Sequence, residues 1–149
     1  VTTTVGGDTA DDRTDDSGSL VRIDRETDEI TATLDTGEQI PHAVAVSDDA
    51  VWVAVPFDNL LLRVDPTDAT LEQTIALDGF PRQLSTTGDE LWVAAMAGSD
   101  PTSHVIVVDT ATGVPGSRIT IPGIAGTMSI SADAAWITDQ VDATMRIDL

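Results

Sequence analysis

Two side chains that could take part in chemistry follow equivalent turns of the sequence. His42 closes the turn IPH at 40–42, Arg82 closes the turn FPR at 80–82, and Gly126 holds the third equivalent position. An imidazole can serve as a general base or a metal ligand, and a guanidinium can hold a carboxylate through two parallel hydrogen bonds. His42 is therefore a weak catalytic candidate, and His42 and Arg82 are candidate binding residues. The simpler interpretations are that His42 is a solvated polar residue and that Arg82 balances the acidic surface around it.

Other residue patterns that support catalysis do not occur in the sequence. It contains no G-x-S-x-G or H-E-x-x-H motif, no glycine-rich phosphate loop, no lysine and no cysteine. Carboxylate pairs such as Asp48 and Asp49 fall in turns, where Asp is common because its side chain bonds the local backbone. His104 is predicted to be an exposed or edge residue of a strand. No metal site is predicted from these residues.

The charge balance limits the classes of partner. The chain has 26 acidic residues against seven arginines, and its net charge is −19. Such a surface repels nucleic-acid phosphates and anionic lipid headgroups, because binding to either depends on Lys and Arg. Apolar runs are also far shorter than the roughly 18 residues that span a bilayer. We expect no nucleic-acid partner and no membrane insertion, and the acid excess favours an extracytoplasmic or salt-exposed protein.

One short unit occurs three times, as SDDAVWVAV at 47–55, TGDELWVAA at 87–95 and SADAAWITD at 131–139. Each tryptophan of the unit follows an Asp by three residues and a turn position by eleven. The tryptophans are Trp52, Trp92 and Trp136, and the turn positions are Pro41, Pro81 and Ala125. Strands downstream end in an aliphatic residue and Asp, as RID at 22–24, RVD at 63–65, VVD at 107–109 and RID at 146–148.

Between these positions hydrophobicity alternates with period two, which is typical of strands. We predict four strands per repeat, at 42–47, 50–55, 61–65 and 71–77 in one copy and at 82–87, 90–96, 103–109 and 116–121 in the next. Four strands in a period of 40 to 44 residues indicate a blade of a β-propeller. Blades stack because a lone sheet of this kind would leave its faces uncovered. The predicted fold is an all-β propeller of four-stranded blades, with each tryptophan packed between blades.

The segment GSLVRIDRETDEITATLDTGEQIPHAVAVSDDAVWVAV at 18–55 resembles the repeats of bacterial YVTN/YncE-like and streptogramin-lyase-like (virginiamycin B lyase-like) propellers. The resemblance extends over 18–149. It implies a ring of six or seven blades that binds ligands at one mouth of the central channel, where His42, Arg82 and Gly126 would lie. For the streptogramin-lyase-like members it further implies two histidines at the mouth and a divalent cation that cleaves a lactone by elimination. Only His42 matches such a histidine.

The strand count corresponds to about three blades, whereas a propeller needs at least four to close. The predicted blades are a partial one at 19–36, two complete ones at 42–79 and 82–122, and a partial one at 127–149. We expect the remaining blades to belong to a larger protein of which this chain is a segment; alternatively, further copies complete the ring. Residues 1–18 are predicted to be a flexible acidic arm. A competing interpretation makes VTTTV at 1–5 the second strand of the first blade.

Two functions from different classes follow. The first is a non-catalytic extracytoplasmic module that binds a protein, peptide or small molecule. The second is a lyase or lactonase that uses a divalent metal at the channel mouth. The chain supplies one His, one Arg and one Gly to the mouth, which favours binding over catalysis. A carboxylate within reach of His42 and Arg82 would reverse that preference.

Overall fold

The computed structural model describes residues 2–4, 18–37, 39–98, 102–140 and 143–149. These residues form fourteen strands and one short 3-10 helix at Pro56–Asp58. The strands are β1 Thr2–Thr4, β2 Gly18–Ile23, β3 Ile30–Gly37, β4 Ala43–Val46, β5 Val51–Val55, β6 Leu60–Val64, β7 Leu71–Ala76, β8 Phe80–Thr87, β9 Glu90–Met96, β10 Thr102–Asp109, β11 Pro115–Pro122, β12 Ala125–Ile130, β13 Ala134–Asp139 and β14 Thr144–Asp148. Across the described ranges, no helix has the length and hydropathy that crossing a membrane requires.

The strands form four antiparallel sheets in which each strand pairs with the next along the chain. The first sheet is β1-β2-β3, the second β4-β5-β6-β7, the third β8-β9-β10-β11 and the fourth β12-β13-β14. The first strands of the last three sheets, β4, β8 and β12, lie beside one another and are the innermost strands. The prediction of an all-β propeller of four-stranded blades, present in part, is confirmed. Among the described residues, the first sheet has no strand in the innermost position of the repeat and the fourth has none in the outermost.

The amino-terminal residues differ from the prediction of a flexible arm over 1–18. Thr2–Thr4 form β1 and pair with β2, with Thr3 opposite Leu20. They take the place of the second strand of the first sheet, as in the competing interpretation. The other residues of the predicted arm, 5–17, lie outside the described residues, and Gly18 belongs to β2.

The sheets stack face to face. We call the face that carries the tryptophan position the forward face and the opposite one the rear face. The forward face of the second sheet, with Trp52 and Leu61, packs on the rear face of the third, with Leu91 and Val93. A tryptophan buries 150–250 Å², so each covered ring contributes roughly 4–6 kcal/mol. The predicted packing role is confirmed for Trp52, which is 0% exposed, and for Trp92, which is 3% exposed.

Acidic residues just before the two buried tryptophans help to satisfy their indole N–H groups. The indole N–H of Trp52 donates to Ser47 Oγ over 3.1 Å, and that hydroxyl donates to Asp49 Oδ1 over 3.2 Å. In the third sheet the indole N–H of Trp92 donates directly to Glu90 Oε2 over 2.9 Å. Each buried indole therefore has the hydrogen-bond partner that a buried N–H requires.

The Asp that ends the third strand of each repeat caps the turn that follows. Its Oδ1 accepts backbone N–H bonds in three sheets: Glu26 to Asp24 at 2.8 Å, Thr67 to Asp65 at 2.6 Å and Thr112 to Asp109 at 2.8 Å. These bonds lower the pKa of Asp24 and Asp65 below the usual range, because they stabilise the charged form. The pKa of Asp109 is lowered first by the hydroxyl of Thr112, which donates to Oδ1 over 2.7 Å, and then by the backbone bond. Arg63, two positions before Asp65, forms its ion pairs with Asp49 and Glu72 instead.

Candidate functional site

Two of the three predicted mouth positions, Arg82 and Gly126, lie at β-bulges, and His42 lies just before the equivalent strand. In β8, Pro81 lies opposite Ala95 and Gln83 opposite Ala94, so Arg82 is the extra residue. In β12 the register shifts in the same way between Ala125 and Met128, around Gly126. His42 directly precedes β4, and its N–H donates over 2.9 Å to the carbonyl of Ala54, the residue that Ala43 already opposes. A bulge turns a side chain out of the regular alternation of a strand, and here it does so where the innermost strands begin.

The residue before each of the three predicted mouth positions is buried and lies where the innermost strand of its sheet begins. Pro41 and Pro81 occupy this position in two sheets, and Ala125 replaces proline in the fourth. Proline has no N–H, so the replacement adds a buried donor. The N–H of Ala125 donates to the buried Ser103 Oγ over 2.9 Å, and this bond joins the fourth sheet to the third.

Arg82 is a partly buried cation that has no counter-charge among the described residues. Its Nη1 lies 3.7 Å from Met96 Sδ, which is a weak acceptor, and within the described residues no carboxylate approaches it within 4 Å. Arg63 and Arg118, in contrast, both form ion pairs. In a chain with a net charge of −19, Arg82 keeps most of its hydrogen-bonding capacity unused.

An aromatic pair adjoins Arg82. The 3-10 helix at Pro56–Asp58 holds Phe57 at the end of β5, where the ring is 73% exposed. Phe57 meets Phe80 edge to face, with ring centroids 5.3 Å apart and an interplanar angle of 86°. Phe80 lies opposite Met96 across the β8–β9 pair, so Phe57, Phe80, Met96 and Arg82 are contiguous. We call these four residues the mouth patch.

Sequence reasoning missed the aromatic part of the patch. The signal was available in PFDN at 56–59, a turn sequence that carries a large apolar side chain where turns are usually polar. Asn59 adopts the left-handed conformation and its N–H bonds the carbonyl of Pro56, which closes the turn and leaves Phe57 on the surface.

The structure does not bring His42 and Arg82 into contact with each other or with a shared carboxylate. The His42 side chain is exposed, and no hydrogen bond or ion pair within the described ranges involves it. At the third mouth position, a Cβ on Gly126 would lie 2.7 Å from Thr138 Oγ1. Thr127 and Thr138 place two hydroxyl groups there, 3.2 Å apart. The predicted mouth thus has a cation and apolar groups at the third sheet and two hydroxyl groups beside Gly126 in the fourth.

The described residues do not fit the divalent-metal site of the lyase alternative. No group of three or more His, Asp or Glu side chains among them could hold a metal ion. His42 is the one histidine at the mouth in this part of the chain, and no carboxylate joins it. The roles assigned to His42 and Arg82 from the sequence stay predictions.

His104 differs from its prediction as an exposed or edge residue. It lies on β10, which pairs with β9 on one side and β11 on the other, and it is only 6% exposed. The third strand of a four-stranded sheet is internal, which is why the prediction is wrong. Its Nδ1 is buried without a hydrogen-bond partner. Burial lowers the pKa of His104, the nearby charge of Arg118 lowers it further, and Asp78 opposes the shift.

Comparison with known proteins supports the fold. No protein-family model and no curated protein matches the sequence. Similar solved structures include a hydrazine synthase from Kuenenia stuttgartiensis, with 19% sequence identity and a TM-score of 0.75; the match covers 87% of this chain and 40% of that one. A functionally unknown protein from Desulfotomaculum acetoxidans has 16% identity and a TM-score of 0.74, with 87% of this chain and 43% of that one covered. The Pan2 WD40 domain of Neurospora crassa has 17% identity and a TM-score of 0.68, with 88% of this chain and 43% of that one covered. The chain thus spans about two fifths of the length of these three proteins, and it has the fold of part of a β-propeller.

Proposed function

We propose that this chain is part of a non-catalytic, extracytoplasmic β-propeller that binds its ligand at the channel mouth through the mouth patch. The ligand presents a carboxylate beside an apolar side chain, as the carboxyl terminus of a peptide does. The observation that carries the proposal is Arg82, which has no carboxylate partner among the described residues and adjoins an exposed aromatic pair.

The patch combines the two side-chain types that contribute most to binding surfaces, arginine and aromatic residues. A guanidinium can take both oxygens of a carboxylate in two parallel hydrogen bonds. The exposed ring of Phe57 gains stability when an apolar group covers it, because it currently faces water. A ligand with one carboxylate next to an apolar side chain satisfies both needs at once.

The acidic surface around the patch limits the ligand further. With a net charge of −19, the chain repels polyanions at long range. A ligand with a single negative charge, held at Arg82, avoids most of that repulsion. The same acid excess supports an extracytoplasmic location, which fractionation of cells that express the natural gene would test.

An NMR titration with short peptides tests the proposal. The peptides end in Phe or Leu and carry either a free carboxylate or a carboxamide. We expect shift changes in the 3-10 helix at Pro56–Asp58 and at the start of β8. A hydrogen bond to a charged group contributes about 1.5–3 kcal/mol, so the free acid should bind roughly 10- to 100-fold more tightly than the amide.

Arg82→Ala should remove the preference for the free acid, and Phe57→Ala should weaken both peptides equally. Arg25→Ala is the control for loss of one positive charge, because Arg25 is an exposed arginine that, like Arg82, forms no ion pair with the described residues. Equal binding of acid and amide, or shift changes confined to other strands, would refute a carboxylate site at Arg82.

A further inference from the structure

The junction between the second and third sheets carries an ion pair that crosses from one sheet to the other. Arg118 of β11 donates from Nη1 to Oδ2 of Asp78, which follows β7. The Arg118 side chain is 40% exposed and the Asp78 side chain is 83% exposed. Exposed ion pairs of this kind contribute little to stability, because water screens them. The packing of the two sheets therefore does not explain why these charges are present.

Equivalent positions of the other outermost strands carry no charge. By register, Arg118 in β11 corresponds to Thr74 in β7 and to Thr33 in β3. Counted from the same position, Asp78 corresponds to Gly37 at the end of β3. The junction of the first and second sheets thus forms with Gly37 and Thr74 where the junction of the second and third has Asp78 and Arg118. The propeller architecture accepts uncharged residues at both positions.

A buried histidine lies at the same junction. His104 is two residues from Ile106 on the same face of β10, and it corresponds to Leu60 in β6. Within the described residues its Nδ1 has no hydrogen-bond partner, and a buried polar atom in that state costs stability. Burial lowers its pKa, and the charges of Arg118 and Asp78 act on that pKa in opposite directions, so the three groups lie near one another. Residues that lower stability in this way are typical of functional sites.

A cleft of about 260 Å³ opens between the two sheets beside the ion pair. We call it the outer cleft; Asp78 and Arg118 lie on its wall, and its other lining residues are apolar: Ala76, Leu77, Ile106, Pro115 and Gly116. Beyond its chain neighbours, a Cβ on Gly116 would have only the carbonyl oxygen of Val107 within 4 Å, at 3.4 Å, so close packing does not require glycine there. At about 30 Å³ per water molecule, the cleft has room for roughly nine non-hydrogen atoms.

The ion pair leaves most of its hydrogen-bonding capacity unused. Within the part of the chain that the structure describes, the Arg118 side chain bonds only through Nη1 and the Asp78 side chain only through Oδ2. A guanidinium has five N–H donors, and a carboxylate has two acceptor oxygens. Donors for a further carboxylate and an acceptor for an ammonium group therefore lie side by side at an apolar cleft.

We propose that the outer cleft binds a free α-amino acid with a branched apolar side chain, of about the size of leucine. Its carboxylate accepts from the guanidinium of Arg118, its ammonium group donates to the carboxylate of Asp78, and its side chain packs on Leu77 and Ile106. Leucine has about as many non-hydrogen atoms as the cleft can hold. A zwitterion also suits the net charge of −19, because a ligand without net charge is not repelled at long range. The site is separate from the mouth patch and does not depend on it.

An NMR titration of the 149-residue chain tests the proposal with L-leucine, L-leucinamide and N-acetyl-L-leucine. We expect leucine to shift the backbone amide signals of 76–78 and 116–118. Leucinamide lacks the carboxylate and N-acetylleucine lacks the ammonium group, so each should bind at least about tenfold more weakly than leucine. Raised sodium chloride screens the attraction of the acidic chain for the cationic leucinamide, so the comparison reports the contacts in the cleft.

Substitutions test which charge holds which group of the ligand. Arg118→Gln should bind leucine and leucinamide equally, and Asp78→Asn should bind leucine and N-acetylleucine equally. Gly116→Val should weaken all three ligands, because the added side chain takes up room in the cleft. Arg25→Gln and Asp48→Asn are the matched controls, since each removes an exposed charge that does not line the cleft, and both should leave binding unchanged. Circular dichroism confirms that each variant is folded.

The outcomes separate this site from the mouth patch. Shift changes at the cleft that Arg82→Ala leaves unchanged support the proposal. Leucine bound at the mouth patch would instead shift the signals of Pro56–Asp58 and of the start of β8, and Arg82→Ala would abolish that binding; this result overturns the proposal. So does a titration to millimolar leucine that leaves 76–78 and 116–118 unshifted, or equal binding of the three ligands by the unsubstituted chain.

Discussion

The hydrogen bond between Ser103 and Ala125 gives a quantitative prediction about the loss of proline in the fourth sheet. Both residues are buried, and the Ala125 N–H has the Ser103 hydroxyl as its acceptor. Ser103→Ala leaves that N–H buried without a partner, which costs about 1–3 kcal/mol of the free energy of unfolding. For a chain of this length, each kcal/mol lowers the melting temperature by roughly 2–4 °C.

Ala125→Pro removes the same donor and restores the residue found at Pro41 and Pro81. In that background Ser103→Ala should cost almost nothing, because no unpaired N–H remains. The double-mutant cycle should therefore give a coupling energy of about 1–2 kcal/mol. Urea unfolding followed by circular dichroism measures all four proteins. Ser129→Ala, at an exposed serine of β12, is the control and should change stability by less than about 0.5 kcal/mol.

The reasoning is refuted if Ser103→Ala costs the same with alanine and with proline at position 125. That result would mean that the cost arises from repacking around Ser103 and not from the orphaned N–H. A changed m-value in any of the four proteins would signal a change in the unfolded state, so equal m-values are part of the expected outcome.

Two further predictions concern pH. The lowered pKa of His104 means that the unfolded chain binds a proton more readily than the folded one, so the free energy of unfolding should fall as the pH drops from about 7.5 to 5.5. When urea midpoints are plotted against pH, His104→Leu should remove this fall and the control His42→Ala should keep it. An unchanged fall in His104→Leu would contradict the role of the buried histidine. Because the pKa of Asp109 is lower in the folded chain, this carboxylate stabilises the fold at pH values above its pKa in the unfolded chain, and the contribution is lost as the pH falls through the folded-state pKa. Asp109→Asn should therefore make the urea midpoint depend less on pH below about pH 4. A steeper acid dependence in Asp109→Asn would contradict the turn-capping role.

The strands could be predicted because their signals are local. Alternating hydrophobicity and Asp- or Gly-containing turns mark them, and the predicted 42–47 and 82–87 correspond to Ala43–Val46 and Phe80–Thr87. The position of each tryptophan within its sheet follows from the same repeat. Whether the ring is buried does not, because burial depends on the next sheet and not on the residue itself. Trp52 and Trp136 have the same local pattern and opposite exposure.

The mouth could be predicted only in part. The position of Arg82 at the start of an innermost strand follows from the repeat alignment, but its lack of a carboxylate partner depends on side chains from several strands. Phe57 contacts Phe80 across 23 residues of sequence, from a turn into the next sheet. The burial of His104 likewise depends on β11, which completes the sheet on its outer side. Contacts of this kind are set by the packing of sheets and leave no periodic signal.

Comparison of equivalent positions separates residues that maintain the fold from residues that distinguish the blades. The capping Asp recurs as Asp24, Asp65 and Asp109, and each accepts an equivalent backbone N–H bond. The turn alone therefore explains why every one of these repeats has Asp at this position. The mouth position changes instead from His42 to Arg82 to Gly126, and the backbone has the same register shift at Arg82 and at Gly126. Since the fold tolerates all three residues there, Arg82 is not needed to form the bulge. The proposed binding of a carboxylate gives a reason for the arginine that the architecture does not.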